Sequence, residues 1–239
     1  GRRAGARQGE RGSQGRFRSE ATTRWACARP PAQTPSPRRS PTTGALARRC
    51  LFDFQVGCRS VHPQLDEIVR EFESASARLR DLHRHLASGA WSRRPSPESW
   101  SPIECVAHLN LTSAAMLPLV RQGLEEARRK GRARGDRYRR DIIGWLIWRT
   151  TSSPGRFKTK TIPAFVPSSD RAAEVIMAEF DRLQTEQIAV TREAEGLPID
   201  RVKIVSPFNA KVRYNVFSAL SILPRHQHRH LWQAEQTRR

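Results

Sequence analysis

Lysine is scarce in this 239-residue chain, where only 5 of the 43 basic residues are Lys and 38 are Arg. Acidic residues are also few, 23 in all, which leaves a formal net charge of +20. An excess of that size is the footprint expected of a nucleic-acid binder, but its distribution disfavours that reading. Residues 1–60 hold 13 Arg and three acids, Glu10, Glu20 and Asp53, for a net +10, and the other +10 is spread over residues 61–239. Long apolar runs are missing too. The longest, Ile142–Trp148, falls far short of the ~20 residues a membrane span needs, so no membrane partner is expected. The four cysteines (Cys27, Cys50, Cys58 and Cys105) form no C-x-x-C pair. That excludes a disulfide framework and leaves a reducing, cytoplasmic setting as the expectation.

Residues 1–60 also lack any helical or alternating pattern. Arg, Gly, Ser, Pro, Thr and Ala dominate them, and Pro30, Pro31, Pro35, Pro37 and Pro41 fall close together. Such a segment buries too little apolar surface to offset the entropy of ordering it. Three readings stand: an organellar transit peptide, without the amphipathic helix one expects; a basic arm for nucleic acid, without interleaved aromatics; and translated upstream sequence outside the working protein. No Met precedes Met116, and Val61 can correspond to an alternative start codon. We expect 1–60 to be a disordered or extraneous extension, and 61–239 to be the domain.

Helical pattern begins at His62. Leu65, Ile68, Phe72, Ala75, Leu79, Leu82 and Leu86 alternate spacings of three and four, drawing one apolar stripe that stops near Ser88-Gly89. Ser101-Pro102-Ile103-Glu104 reads as a capping box, with Ser101 at N-cap, Pro102 at N1 and Glu104 at N3. The second helix then carries Val106, Leu109, Ala114, Leu117, Val120 and Leu124 inward, with a kink expected at Pro118. From Arg121 to Arg140 there are nine basic residues and three acids, either a solvated helix end and loop or a patch for an anionic ligand. Ile142–Trp148 suggests a short buried or lid helix. Thr151–Pro167 reads as a long loop, of a length often used to cover a site.

Ser169-Asp170 is a candidate cap for a third long helix, with Ile176, Phe180, Leu183, Val190 and Ala194 inward and Gly196 ending it. A loop containing Pro198 and Pro207 follows. The fourth long helix is expected from about Arg213 to Gln236, bent at Pro224. Four amphipathic helices make a single all-α bundle the economical architecture.

Seven histidines occur, three of them in His226-Gln227-His228-Arg229-His230. Positions i and i+4 lie about 40° apart on a helix, so His226 and His230 can address one point while His228 looks away. His108 sits seven residues after the Ser101 cap, among apolar neighbours. Three imidazoles from two helices leave positions open on a cation, the arrangement of a catalytic rather than a closed structural site. Zn²⁺ is the chemical default, with Ni²⁺ and Fe²⁺ also served by imidazole. Cys105, three residues before His108, is either a small buried thiol or a fourth ligand. His83 and His85 fit solvated or packing roles, and Trp100 and Trp232 packing roles.

The stretch Trp100-Ser101-Pro102-Ile103-Glu104-Cys105-Val106-Ala107-His108-Leu109 and the last-helix pattern His226, three residues, His230-Leu231, one residue, Gln233 resemble the two signatures of the DinB/YfiT-like family, in the same order and at similar separation. The resemblance covers about residues 61–239. It implies an up-down-down-up four-helix bundle in which His108, His226 and His230 bind a divalent metal at one end. It has no counterpart for 1–60, and the 127–168 connection departs from the minimal bundle. The implied activity is metal-assisted transfer of a low-molecular-weight thiol to an electrophilic substrate, or isomerisation using that thiol as cofactor. Metal-dependent hydrolysis, a metal- or ligand-binding bundle without activity, and pairing with a second copy stand as alternatives or additions. Glu104 is expected to be occupied by capping, and Glu235 lies one turn beyond His230.

Overall fold

The computed structural model describes residues 62–133, 136–151, 161–168 and 171–238. The expectations for residues 1–60, for most of the 151–167 loop and for the Ser169-Asp170 cap lie outside the described residues. Among the described residues the fold is mostly helical, with four long helices, one short α-helix and a two-stranded hairpin. The all-α expectation broadly holds, and the small hairpin is an element it did not include.

Helix α1 (Pro63–His85) places Pro63 at its first turn, and the ring of His62 accepts from the Gln64 amide at 3.2 Å. Leu65, Ile68, Phe72, Ala75, Leu79 and Leu82 are buried as the stripe required. Helix α2 (Pro102–Arg129) is opened by both halves of the capping box: the Glu104 amide donates to Ser101 Oγ at 3.3 Å, and the Ser101 amide donates to Glu104 Oε2 at 2.8 Å. The helix runs through Pro118 and ends before Gly131, whose φ of 84° is the left-handed conformation that glycine adopts without cost. Among the described residues α2 alone is long and apolar enough to cross a membrane, yet 72% of its apolar window is buried inside the protein.

Short helix α3 (Ile142–Thr150) is capped by Asp141, whose Oδ1 accepts from the Gly144 amide at 2.9 Å. Only Gly144 is buried in it, so the expectation of a buried helix is corrected. Helix α4 (Ala173–Glu193) starts without a side-chain cap. Strands β1 (Lys203–Ser206) and β2 (Asn209–Asn215) pair antiparallel, with Ile204 opposite Tyr214. Because Arg213–Asn215 belong to β2, helix α5 (Val216–Glu235) begins three residues later than expected, with Asn215 Oδ1 accepting from the Ser218 amide at 2.8 Å.

Helix α2 packs against α4 and α5, and α1 packs against the same two. Two apolar clusters result. One gathers Leu65, Phe72, Leu124, Tyr214 and Phe217, and the other Leu79, Val106, Leu109, Phe180 and Leu231. Buried amides and hydroxyls tie the long helices together. Gln184 donates to Ser76 Oγ at 3.0 Å, Gln227 to Gln184 Oε1 at 2.7 Å, and Ser113 to Gln187 Oε1 at 3.3 Å. A buried polar layer of this kind penalises sliding of one helix past another, because each slip breaks these hydrogen bonds and strands buried polar groups.

Candidate metal centre

The capping box sets the phase of α2, which puts His108 inside in its second turn. Along α5, Leu223 belongs to the first apolar cluster and Leu231 to the second, and His226 and His230 fall between them. His108 and His230 are buried and His226 is half-buried. Their ligand nitrogens all lie within 4.8 Å of one another. His226 Nε2 and His230 Nε2 are 3.0 Å apart. Two nitrogens bound tetrahedrally to one zinc at about 2.05 Å stand about 3.3 Å apart, so this pair is already near the spacing a small cation imposes.

Proton positions on these rings follow from their partners. His108 Nδ1 lies 2.8 Å from the carbonyl oxygen of Phe165. A carbonyl only accepts, so Nδ1 carries the proton and Nε2 presents its lone pair. A contact of this kind is what orients imidazoles in metal sites generally. His230 Nδ1 is buried without a hydrogen-bond partner. Burial pushes His226 down to about 3, with electrostatic repulsion from His108 and Arg229 adding to it, and burial lowers His108 and His230 as well. Three neutral imidazoles at neutral pH form a donor set that suits a borderline cation and gives a bare proton little hold.

Aromatic rings wall the cluster. The Trp100 ring centre is 4.8 Å from that of His108 and 5.9 Å from that of His230. Phe165 packs at a tilt against Phe208 of the hairpin turn, ring centres 4.4 Å apart, and the Phe208 ring centre is 6.5 Å from that of His226. Trp100 therefore packs as expected, and what it packs on is the imidazoles. Phe165 and Phe208 were not anticipated: one acts through its backbone, which any residue type supplies, and the other arrives on the unforeseen hairpin.

The remaining candidates fall outside. Among the described residues no cysteine or carboxylate joins the three nitrogens. Cys105 is buried in the second apolar cluster, where burial pushes its thiol up to about 12. His228 turns to Glu71 of α1 at 3.2 Å, and His83 and His85 are exposed. Glu104 is held by Arg94, with Arg94 Nε donating to Oε2 at 2.9 Å, and Glu235 accepts twice from Arg78 at 2.6 Å. A separate cavity of about 400 Å³ lies beside Arg94, Glu104 and Arg171, and no histidine lines it. Both its arginines are already paired, Arg94 with Glu104 and Arg171 with Glu179.

The sequence model of the DinB superfamily matches residues 60–234, and the chain belongs to that superfamily. No curated protein and no solved structure shows significant similarity to it.

Proposed function

We propose that this DinB superfamily member uses His108, His226 and His230 to hold one divalent cation and transfers a low-molecular-weight thiol to a small electrophilic substrate, or isomerises a substrate with that thiol. The observation that carries the reading is the convergence of three neutral imidazole nitrogens within 4.8 Å, drawn from two helices. Zinc is the default cation for such donors, with nickel and iron(II) as alternatives. Bound there, a divalent cation supplies Lewis acidity that lowers the pKa of a coordinating thiol into the neutral range.

The protein's own groups do the rest. Phe165 O holds the His108 ring with Nε2 free, and Trp100 covers His108 and His230. Glu104 and Glu235 are both occupied by arginines. Among the described residues no carboxylate joins the three nitrogens, which favours thiol chemistry over hydrolysis, because attack by water calls for a positioned base. Directions of the helix pairs support an up-down-down-up bundle over residues 61–239. Contacts run in parallel between α1 and α5, from Glu71–His228 to Arg78–Glu235, and in opposition between α1 and α4, from Ser76–Gln184 to Glu73–Arg192.

Incubation of the full chain with a low-molecular-weight thiol and a model electrophile tests the reading. Conjugation is expected in metal-loaded protein, and is expected to vanish after chelation and in His226→Ala. Equal rates with and without metal would contradict it. Metal binding without thiol turnover would support a binding bundle without activity.

A further inference from the structure

Helix α3 is fixed in place with its apolar side facing out. On a helical wheel with 100° per residue, Gly144, Ile147 and Trp148 fall on one side, and Ile142, Ile143, Trp145 and Leu146 on the other. The inner side is anchored. Gly144 lies so close to Ser218 of α5 that a Cβ there would meet Ser218 Oγ at 2.1 Å. Trp148 is clasped by the guanidinium carbons of Arg140 and Arg225, 4.2 and 4.0 Å from its ring centre. Asp141, the cap, also accepts from the Asn215 amide at 3.1 Å. The outer side leaves Ile142 86%, Ile143 44%, Trp145 48% and Leu146 54% exposed. A contiguous exposed patch of large apolar side chains on a rigid seat marks a docking surface.

The chemistry beside the patch selects the occupant. Arg137 and Arg139 just before the helix, and Arg149 in its last turn, are exposed. The Arg149 guanidinium lies 5.7 Å from the Trp145 ring centre. Tryptophan, leucine and isoleucine on one side, framed by cations, is the pattern of a helix that lies flat in a membrane interface. Such a helix needs no run of spanning length, so the shortness of Ile142–Trp148 does not count against it. A second copy fits poorly, since it would bring its own arginines against these. Four exposed apolar side chains also supply well under the roughly 800 Å² per partner that a stable protein interface buries.

We propose that the outward face of α3 docks on an anionic lipid surface, with Trp145, Leu146, Ile142 and Ile143 entering the headgroup region and the flanking arginines meeting lipid phosphates. The inference stands independently of the metal centre. Its test is sedimentation of the full chain with phosphatidylcholine vesicles, either plain or containing about one third phosphatidylglycerol. Wild type is expected to partition onto the anionic vesicles and not the plain ones. The double substitution Trp145→Ser, Leu146→Ser is expected to lower that partitioning about tenfold. Val175→Ser, an exposed apolar residue of α4, is expected to leave it unchanged. Metal content and circular dichroism confirm that the variants fold. Undiminished partitioning of the double variant would overturn the proposal, since charge elsewhere on the chain would then carry binding alone. So would a wild type that ignores vesicles, including one that pairs through these residues with a second copy or an acidic protein.

Discussion

Helices α2 and α3 both carry many apolar residues, and they dispose of that character in opposite ways. Helix α2 is buried along most of its length and takes polar residues inside with it: His108, Asn110, Thr112 and Ser113. Each has a partner: Phe165 O, Ile176 O, His108 O and Gln187 Oε1 respectively. Helix α3 buries a glycine and leaves four large apolar side chains in solvent. A buried polar group and an exposed apolar patch are the two departures from ordinary packing that carry information. In α2 the departure includes His108, one of the three imidazoles proposed to hold a cation. In α3 it marks a face waiting for an apolar surface from outside.

Substitutions sharpen this contrast in descending order of effect. Leu124→Ala in the buried half of α2 is expected to cost about 2–5 kcal/mol, read from denaturant unfolding. Gly144→Ala comes next. The new Cβ would sit 2.1 Å from Ser218 Oγ and 2.3 Å from its Cβ, an overpacking worth roughly 1–3 kcal/mol, and vesicle binding should fall with stability as α3 is unseated. The third effect is one of pH. His226 is pushed down to about 3, and His108 and His230 are lowered too, so the metal-free folded state holds fewer protons than the unfolded chain below the free imidazole pKa of about 6.5. Stability is therefore complete above that pH and lost as pH falls toward 3. Thermal scans of chelated protein from pH 7 to 5 should show a falling Tm, with a shallower fall in His226→Ala. The smallest effect belongs to Leu146→Ser on α3, expected to change stability by no more than about 0.5 kcal/mol. A loss comparable to that of Leu124→Ala would mean that the α3 face is covered within the protein.

What was legible followed from local rules. The capping box at Ser101 and Glu104, the α1 stripe and the i,i+4 relation of His226 and His230 each follow from helix geometry alone, and the structure carries all three. The hairpin was not legible, because β1 and β2 hold only four and seven residues and their pattern is too short to distinguish from a loop. Phe165 escaped because the group it offers His108 is a main-chain carbonyl, which residue type does not reveal. Burial of Gln184, Gln187 and Gln227 has no local signature, because partners such as Ser76 and Ser113 come from helices distant in sequence. Exposure of α3 depends on Gly144 meeting Ser218 across 74 positions, a contact no local window contains.

Metal content of the full chain tests the central claim most directly. Protein stripped by chelator and reloaded with zinc, then desalted, should carry one ion per chain, while His108→Ala and His226→Ala, folded by circular dichroism, should each carry almost none. Full metal content in both variants would contradict the account.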